Sequence, residues 1–166
     1  GTAIVLDRDC YGVTIAANVI AHDMGGGIDL RDAHGCAVSA NTFTLMHEFG
    51  VRVGQGSGRI TISGNNFSNS YAGAGKVIRK LEHENPIQLD VGRGVLVENA
   101  THIAVTGNVF AGLDGPAVKA TGKCEKVVIV GNVITDIHRR SPKDVPKEAF
   151  DISGESQAMI ESNVAD

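Results

Sequence analysis

The side chains able to do acid, base or anion-binding chemistry are unevenly spread along this sequence of 166 residues. His47 and Glu48 stand side by side, Arg52 follows four residues on, and Asp114 occupies the same kind of turn in a later stretch. A histidine or tyrosine can take a proton, carboxyl pairs can act as acid and base, and an arginine can neutralise an anion beside a reacting carbon. On that chemistry His47, Glu48, Arg52, Asp114 and Tyr71 are the candidate catalytic groups. Asp29, Arg31, Arg93, Glu98, Lys119 and Asp151 are the candidate substrate-binding groups, because they recur around one type of strand. A solvated sheet would also carry opposite charges on neighbouring strands for stability alone, worth about 0.2 to 1 kcal/mol per pair, and Asp29 above Arg52 fits that reading equally well. His22, His47, His102 and His138, taken singly, read as surface residues. Only the coincidence of His47-Glu48 with Arg52 and a long insertion singles out one region.

What brings such scattered residues to one face is a repeat. Six stretches share an alternating apolar run, then an Asn, then an apolar residue two positions on, with Asn18, Asn41, Asn65, Asn108, Asn132 and Asn163 as markers. Three of the five steps between markers are 23 or 24 residues, and two are longer. Three positions before each marker lie Ile15, Val38, Ile62, Val105, Ile129 and Ile160. Two positions after come Ile20, Phe43, Phe67, Phe110, Ile134 and Ala165. Columns held through every repeat at such a period mean a solenoid.

A second alternating strand precedes each marker strand, with Ile4/Leu6, Ile28/Leu30, Val51/Val53, Val95/Val97, Val118/Ala120 and Phe150/Ile152 facing inward. Each repeat therefore supplies three strands and no helical periodicity. Stacked coils would pair these strands in parallel about 4.8 Å apart, and the marker Asn, turned inward at a corner, would hydrogen-bond its counterparts above and below. The expected fold is all-β: a parallel β-solenoid of about six coils with an inward Asn ladder, forming one domain over residues 1–166.

Composition supports thin apolar layers. Apolar residues make up 42% of the chain and aromatics only 4%, with no Trp and 21 Gly. The net charge of -4 argues against nucleic acid as a partner, since phosphate neutralisation needs a basic face. No apolar run reaches the roughly 20 residues of a membrane span, so no membrane partner is expected. Cys10, Cys36 and Cys124 are read as unpaired thiols, Cys36 through its inward column. Two insertions fall between the short third strand and the next coil. One covers about 71–91, where residues 76–85 could form a short helix ended by Pro86, and the other covers about 138–147. Neither end carries an amphipathic cap, so a fragment of a longer chain, flanking cover or homo-oligomeric association is expected.

Coils of this length, with three strands and an Asn ladder, resemble the right-handed parallel β-helix of the pectate-lyase-like superfamily over essentially the whole chain. In that geometry the first strand of each coil belongs to the sheet named PB1, the marker strand to PB2 and the short one to PB3. The resemblance implies an extended polysaccharide as partner, bound along PB1 and its flanking turns and acted on by a lyase, hydrolase or epimerase. It also implies a secreted or periplasmic location. The sequence lacks the Asn-Thr-Asp, Gly-His-Gly and Arg-Ile-Lys set of polygalacturonases, the Asp-Pro-His of alginate epimerases and the Arg-x-Pro-x-x-Arg of pectate lyases. No cofactor is evident. A calcium ion is the one candidate, although Asp29, Asp114 and Asp151 do not show converging spacing. A noncatalytic glycan-binding, adhesin or structural segment is the alternative.

Overall fold

The computed structural model describes residues 1–21, 25–68, 92–138 and 141–166. The first coil comprises β1 (Ile4–Tyr11), β2 (Thr14–Ala16) and β3 (Val19–Ala21), and the second β4 (Gly26–His34), β5 (Ala37–Ser39) and β6 (Thr42–Thr44). The third has β7 (Phe49–Val53), β8 (Gly58–Ser63) and β9 (Asn66–Ser68), and the fourth β10 (Arg93–Glu98), β11 (Thr101–Thr106) and β12 (Val109–Ala111). The last two are β13 (Val118–Thr121), β14 (Glu125–Val130) and β15 (Val133–Thr135), then β16 (Phe150–Ile152), β17 (Ala158–Glu161) and β18 (Val164–Ala165). Every strand pairs in parallel with its counterpart one coil away, so each Asn-phased segment winds once around a common axis. The helix expected over residues 76–85 and the candidate base Tyr71 lie outside the described residues.

PB1 and PB2 are not separate sheets. They merge into one of twelve strands, joined where His34 at the end of β4 pairs with Gly58 of β8. A left-handed backbone at Asp32 (φ 49°) turns β4 without ending it, which is why that strand outruns the alternating stretch read from the sequence. PB3 forms its own six-stranded sheet.

The marker ladder explains why Asn holds each corner. The side-chain oxygen of Asn65 accepts from both the backbone N–H of Asn41 (2.9 Å) and its Nδ2 (3.1 Å), while Asn65 Nδ2 donates to Val38 O (2.9 Å) and to Asn108 Oδ1 (3.0 Å). The same exchange runs from Asn18 to Asn163. An aspartate could not donate and an alanine could do neither, so only an amide satisfies donors and acceptors together in a buried corner. The residue before every marker, namely Ala17, Ala40, Gly64, Gly107, Gly131 and Ser162, has φ between 53° and 68°. That left-handed step makes the corner sharp enough to aim the amide inward.

A second complementarity joins PB1 to PB3. The rings of Phe43, Phe67 and Phe110 stack at centroid distances of 4.6 and 4.7 Å. Opposite them in the same coils stand Gly27, Gly50 and Gly94, where an added Cβ would lie 2.4 to 2.9 Å from the facing ring. Where the third-strand residue is Ile20 or Ile134, the glycine position holds Ala3 or Ala117. Coil by coil, a larger ring is matched by a smaller partner, which keeps the layer thickness uniform.

The inward columns are closed in the middle coils and open towards the ends, with Ile62 at 0% exposure and Ile160 at 41%. All three thiols are unpaired, Cys36 and Cys124 being buried.

Candidate functional site on the PB1 face

Register places Asp29 of β4 directly beside Arg52 of β7. The cross-strand pair expected from the sequence is present, yet Asp29 is not an open groove residue. Its side chain is fully enclosed, gripped by Arg52 through Nε (2.9 Å) and Nη2 (2.6 Å) and by Arg31 Nε (2.7 Å). Two arginines, one from its own strand and one from the next coil, cover it completely. Asp29 thus serves as an anchor for Arg52 and is withdrawn from ligand contact. Arg31 gives that anchor its Nε alone and stays half exposed.

Arg52 is fixed by two partners, Asp29 and Phe49. Its guanidinium also lies 5.2 Å from the centre of the Phe49 ring, and that ring packs so closely over Gly26 that any Cβ there would fall 2.1 Å from it. The hydrogen bond to Asp29 raises the Arg52 pKa above its ordinary value. Partial burial opposes this, and the charges of Asp29, Glu98 and Glu48 reinforce it. A raised arginine is fully charged at every pH below the usual arginine range, so Arg52 does not titrate under working conditions. The grip uses Nε and Nη2, and Nη1 is the nitrogen not bonded to Asp29.

Around Arg52 opens a cleft of about 380 Å³ lined by His47, Glu48, Phe49, Arg93, Leu96, Glu98 and Asp114. The turns from PB3 into PB1 supply His47, Glu48 and Asp114, and the strands β7 and β10 supply the floor. Arg93 is exposed and makes no ion pair among the described residues. Six of the candidate residues are therefore brought together: His47, Glu48, Arg52, Arg93, Glu98 and Asp114. Lys119 and Asp151 lie further along the same face and bond each other at 2.9 Å.

Two further lining residues, Phe49 and Leu96, are apolar and so fall outside any set of ionisable candidates. The signal for Phe49 was the run Gly25-Gly26-Gly27 one coil earlier, an unusual clearing that a ring fills. Among the described residues no three His, Cys, Asp or Glu side chains converge as a metal ion requires. The donors among those residues do not fit a calcium ion.

A parallel solenoid of stacked three-strand coils with a buried Asn ladder defines the class. The family described as right handed beta helix region matches residues 2–165, and the chain belongs to that family, within the pectate-lyase-like superfamily. No curated protein and no solved structure matches the chain.

Proposed function

We propose that this β-helix protein binds an extended polysaccharide along PB1 and modifies it in the cleft around Arg52. The observation that carries the reading is the convergence of His47, Glu48, Arg93, Glu98 and Asp114 on a guanidinium immobilised by a buried carboxylate. A fixed cation beside a base is what proton abstraction next to a sugar carboxylate requires, because the developing charge must be met without reorganisation. In this scheme Arg52 Nη1 and Arg93 hold the sugar carboxylate, and His47 takes the proton from the carbon beside it; the electron pair left there either forms a C=C bond as the glycosidic oxygen leaves and takes a proton from water, or recaptures a proton from water on the opposite face. Glu48, Glu98 and Asp114 keep the cleft from being a general anion trap, so an acidic group is favoured only between the two arginines.

Glycoside hydrolysis fits less well. Glu48 and Asp114 are two coils apart, about 10 Å in ideal stacking, just beyond the separation of roughly 6.5 to 9.5 Å used by inverting enzymes. Lyase or epimerase chemistry is the better match. Action on an extracellular polymer would place the protein outside the cytoplasm, secreted or periplasmic.

The test is incubation with a panel of uronate and neutral polysaccharides, reading unsaturated ends, reducing ends and changed sugar configuration. The expected result is turnover of a uronate polymer, lost in His47→Ala with binding kept. Arg93→Ala should weaken binding by about tenfold or more. Binding without any product would instead make the chain a noncatalytic glycan-binding module. Unchanged binding and turnover in both variants would remove the cleft from consideration.

A further inference from the structure

In each of the first five coils the residue directly before the first inward residue of PB2 is in the left-handed conformation. They are Gly12, Gly35, Arg59, His102 and Lys126, with φ of 65°, 61°, 56°, 58° and 55°. The first two are glycines, for which that backbone is easy; the next three carry basic side chains. The pairings Thr101 with Gly58 and Ile103 with Ile60 set His102 beside Arg59. The pairings Thr101 with Glu125 and Ile103 with Val127 set His102 beside Lys126. Three exposed basic residues therefore stand on consecutive rungs, about 4.8 Å apart.

Two unfavourable choices coincide at these positions. Left-handed backbone is strained for any residue but glycine, and Arg59 and Lys126 place two like charges only two rungs apart. Neither Arg59 nor Lys126 has an ion pair among the described residues, and the neighbouring Glu125 is engaged by Lys123 at 3.5 Å. His102 has its Nδ1 3.0 Å from the Thr101 hydroxyl, so Nε2 is its outer nitrogen. The strip lies beyond the bend that ends PB1, on the first residues of the PB2 strands, whereas the Arg52 cleft runs along PB1 from the turn before it to Glu98 at the end of β10.

We propose that Arg59, His102 and Lys126 form a second binding strip, for an acidic polysaccharide running parallel to the solenoid axis with anionic groups facing Arg59 and Lys126 and a polar group of the sugar at the outer nitrogen of His102. An acidic polymer lying along the strip sets anions against Arg59 and Lys126 together and relieves the repulsion between them. A neutral glycan would leave Arg59 and Lys126 uncompensated. A single-stranded nucleic acid is disfavoured by the chain's net charge of -4 and by the lack of any Phe, Tyr or Trp on the three rungs for bases to stack upon.

The experiment uses the Arg93→Ala chain, in which the PB1 cleft is weakened, and adds Arg59→Gly, His102→Gly and Lys126→Gly together. Because glycine prefers this backbone, the triple change should leave the melting temperature equal or higher. Calorimetric titration with a polygalacturonate oligomer should show salt-sensitive binding before the triple change and at least roughly tenfold weaker binding after it. If the glycine variant melts earlier, Arg59→Gln with Lys126→Gln, which keeps side-chain bulk, gives the same comparison. Unchanged affinity would overturn the proposal, as would the absence of polygalacturonate binding in the Arg93→Ala chain. Equal affinity for oligothymidylate would overturn the choice of an acidic glycan. None of these outcomes bears on turnover in the PB1 cleft, which is read separately through His47→Ala.

Discussion

Asp29 has no exposure at all, while Arg31 and Arg52, its two partners, keep 48% and 33% of theirs. This asymmetry decides what each substitution does. In Arg52→Ala the buried carboxylate retains only Arg31, and a destabilisation of about 2 to 3 kcal/mol is expected in urea unfolding, since an under-compensated buried charge is the expensive outcome. Asp29→Asn keeps the shape and leaves both arginines able to turn to water, so it should destabilise less while freeing the Arg52 side chain. The expected signature is a large loss of glycan binding for a small loss of stability, and equal losses of both would contradict the anchoring role. The pairing of Asp29 with Arg52 was legible from the repeat register. Its enclosure was not, because an alternating pattern assigns Asp29 to the outer face and says nothing of two long arginine side chains folding over it.

At the scale of elements, the third strand and the start of PB1 are designed as a pair. Gly50→Ala drives a Cβ to 2.4 Å from the Phe67 ring, and overpacking of about 1 to 3 kcal/mol is expected. Combining it with Phe67→Ile reproduces the alanine and isoleucine combination of Ala117 and Ile134. The double variant should therefore be more stable than the sum of the two single losses, and strict additivity in a double-mutant cycle would rule out the size coupling. Gly64 is a different case. A Cβ there meets nothing within 4 Å, so Gly64→Ala should cost about 1 kcal/mol through its φ of 62° alone. Asn columns, inward alternation and three strands per coil were all readable because the same environment recurs in every coil. The left-handed residue before each marker escaped notice because Ala17, Ala40 and Ser162 occupy it alongside the glycines, so composition gave no uniform sign.

For the molecule as a whole, a stack of coils is stabilised by nearest neighbours, and its middle is better covered than its ends. Asn65→Ala strands two donors of Asn41 in a buried corner and should destabilise by about 3 kcal/mol, whereas the same change at Asn163 should cost clearly less. Amide exchange should follow the same gradient, slowest in β5, β8 and β11 and fastest in β1 and β16 to β18; a flat profile would mean that the coils do not share stability in this way. The contrast between fold and site has the same origin. A repeated layer announces itself six times, but the cleft occurs once, its Phe49 and Leu96 are apolar, and one expected member, Tyr71, lies outside the described residues.

The claim that matters most is that the Arg52 cleft on PB1 is where a glycan sits. Residue-resolved chemical-shift titration of the full chain with uronate oligosaccharides addresses it directly. The account predicts saturable shifts concentrated at Glu48, Arg52, Arg93 and Glu98, with a separate and more salt-sensitive set at Arg59, His102 and Lys126. Shifts confined to the outer faces of PB2 and PB3, or no shifts with any acidic or neutral oligosaccharide, would contradict it.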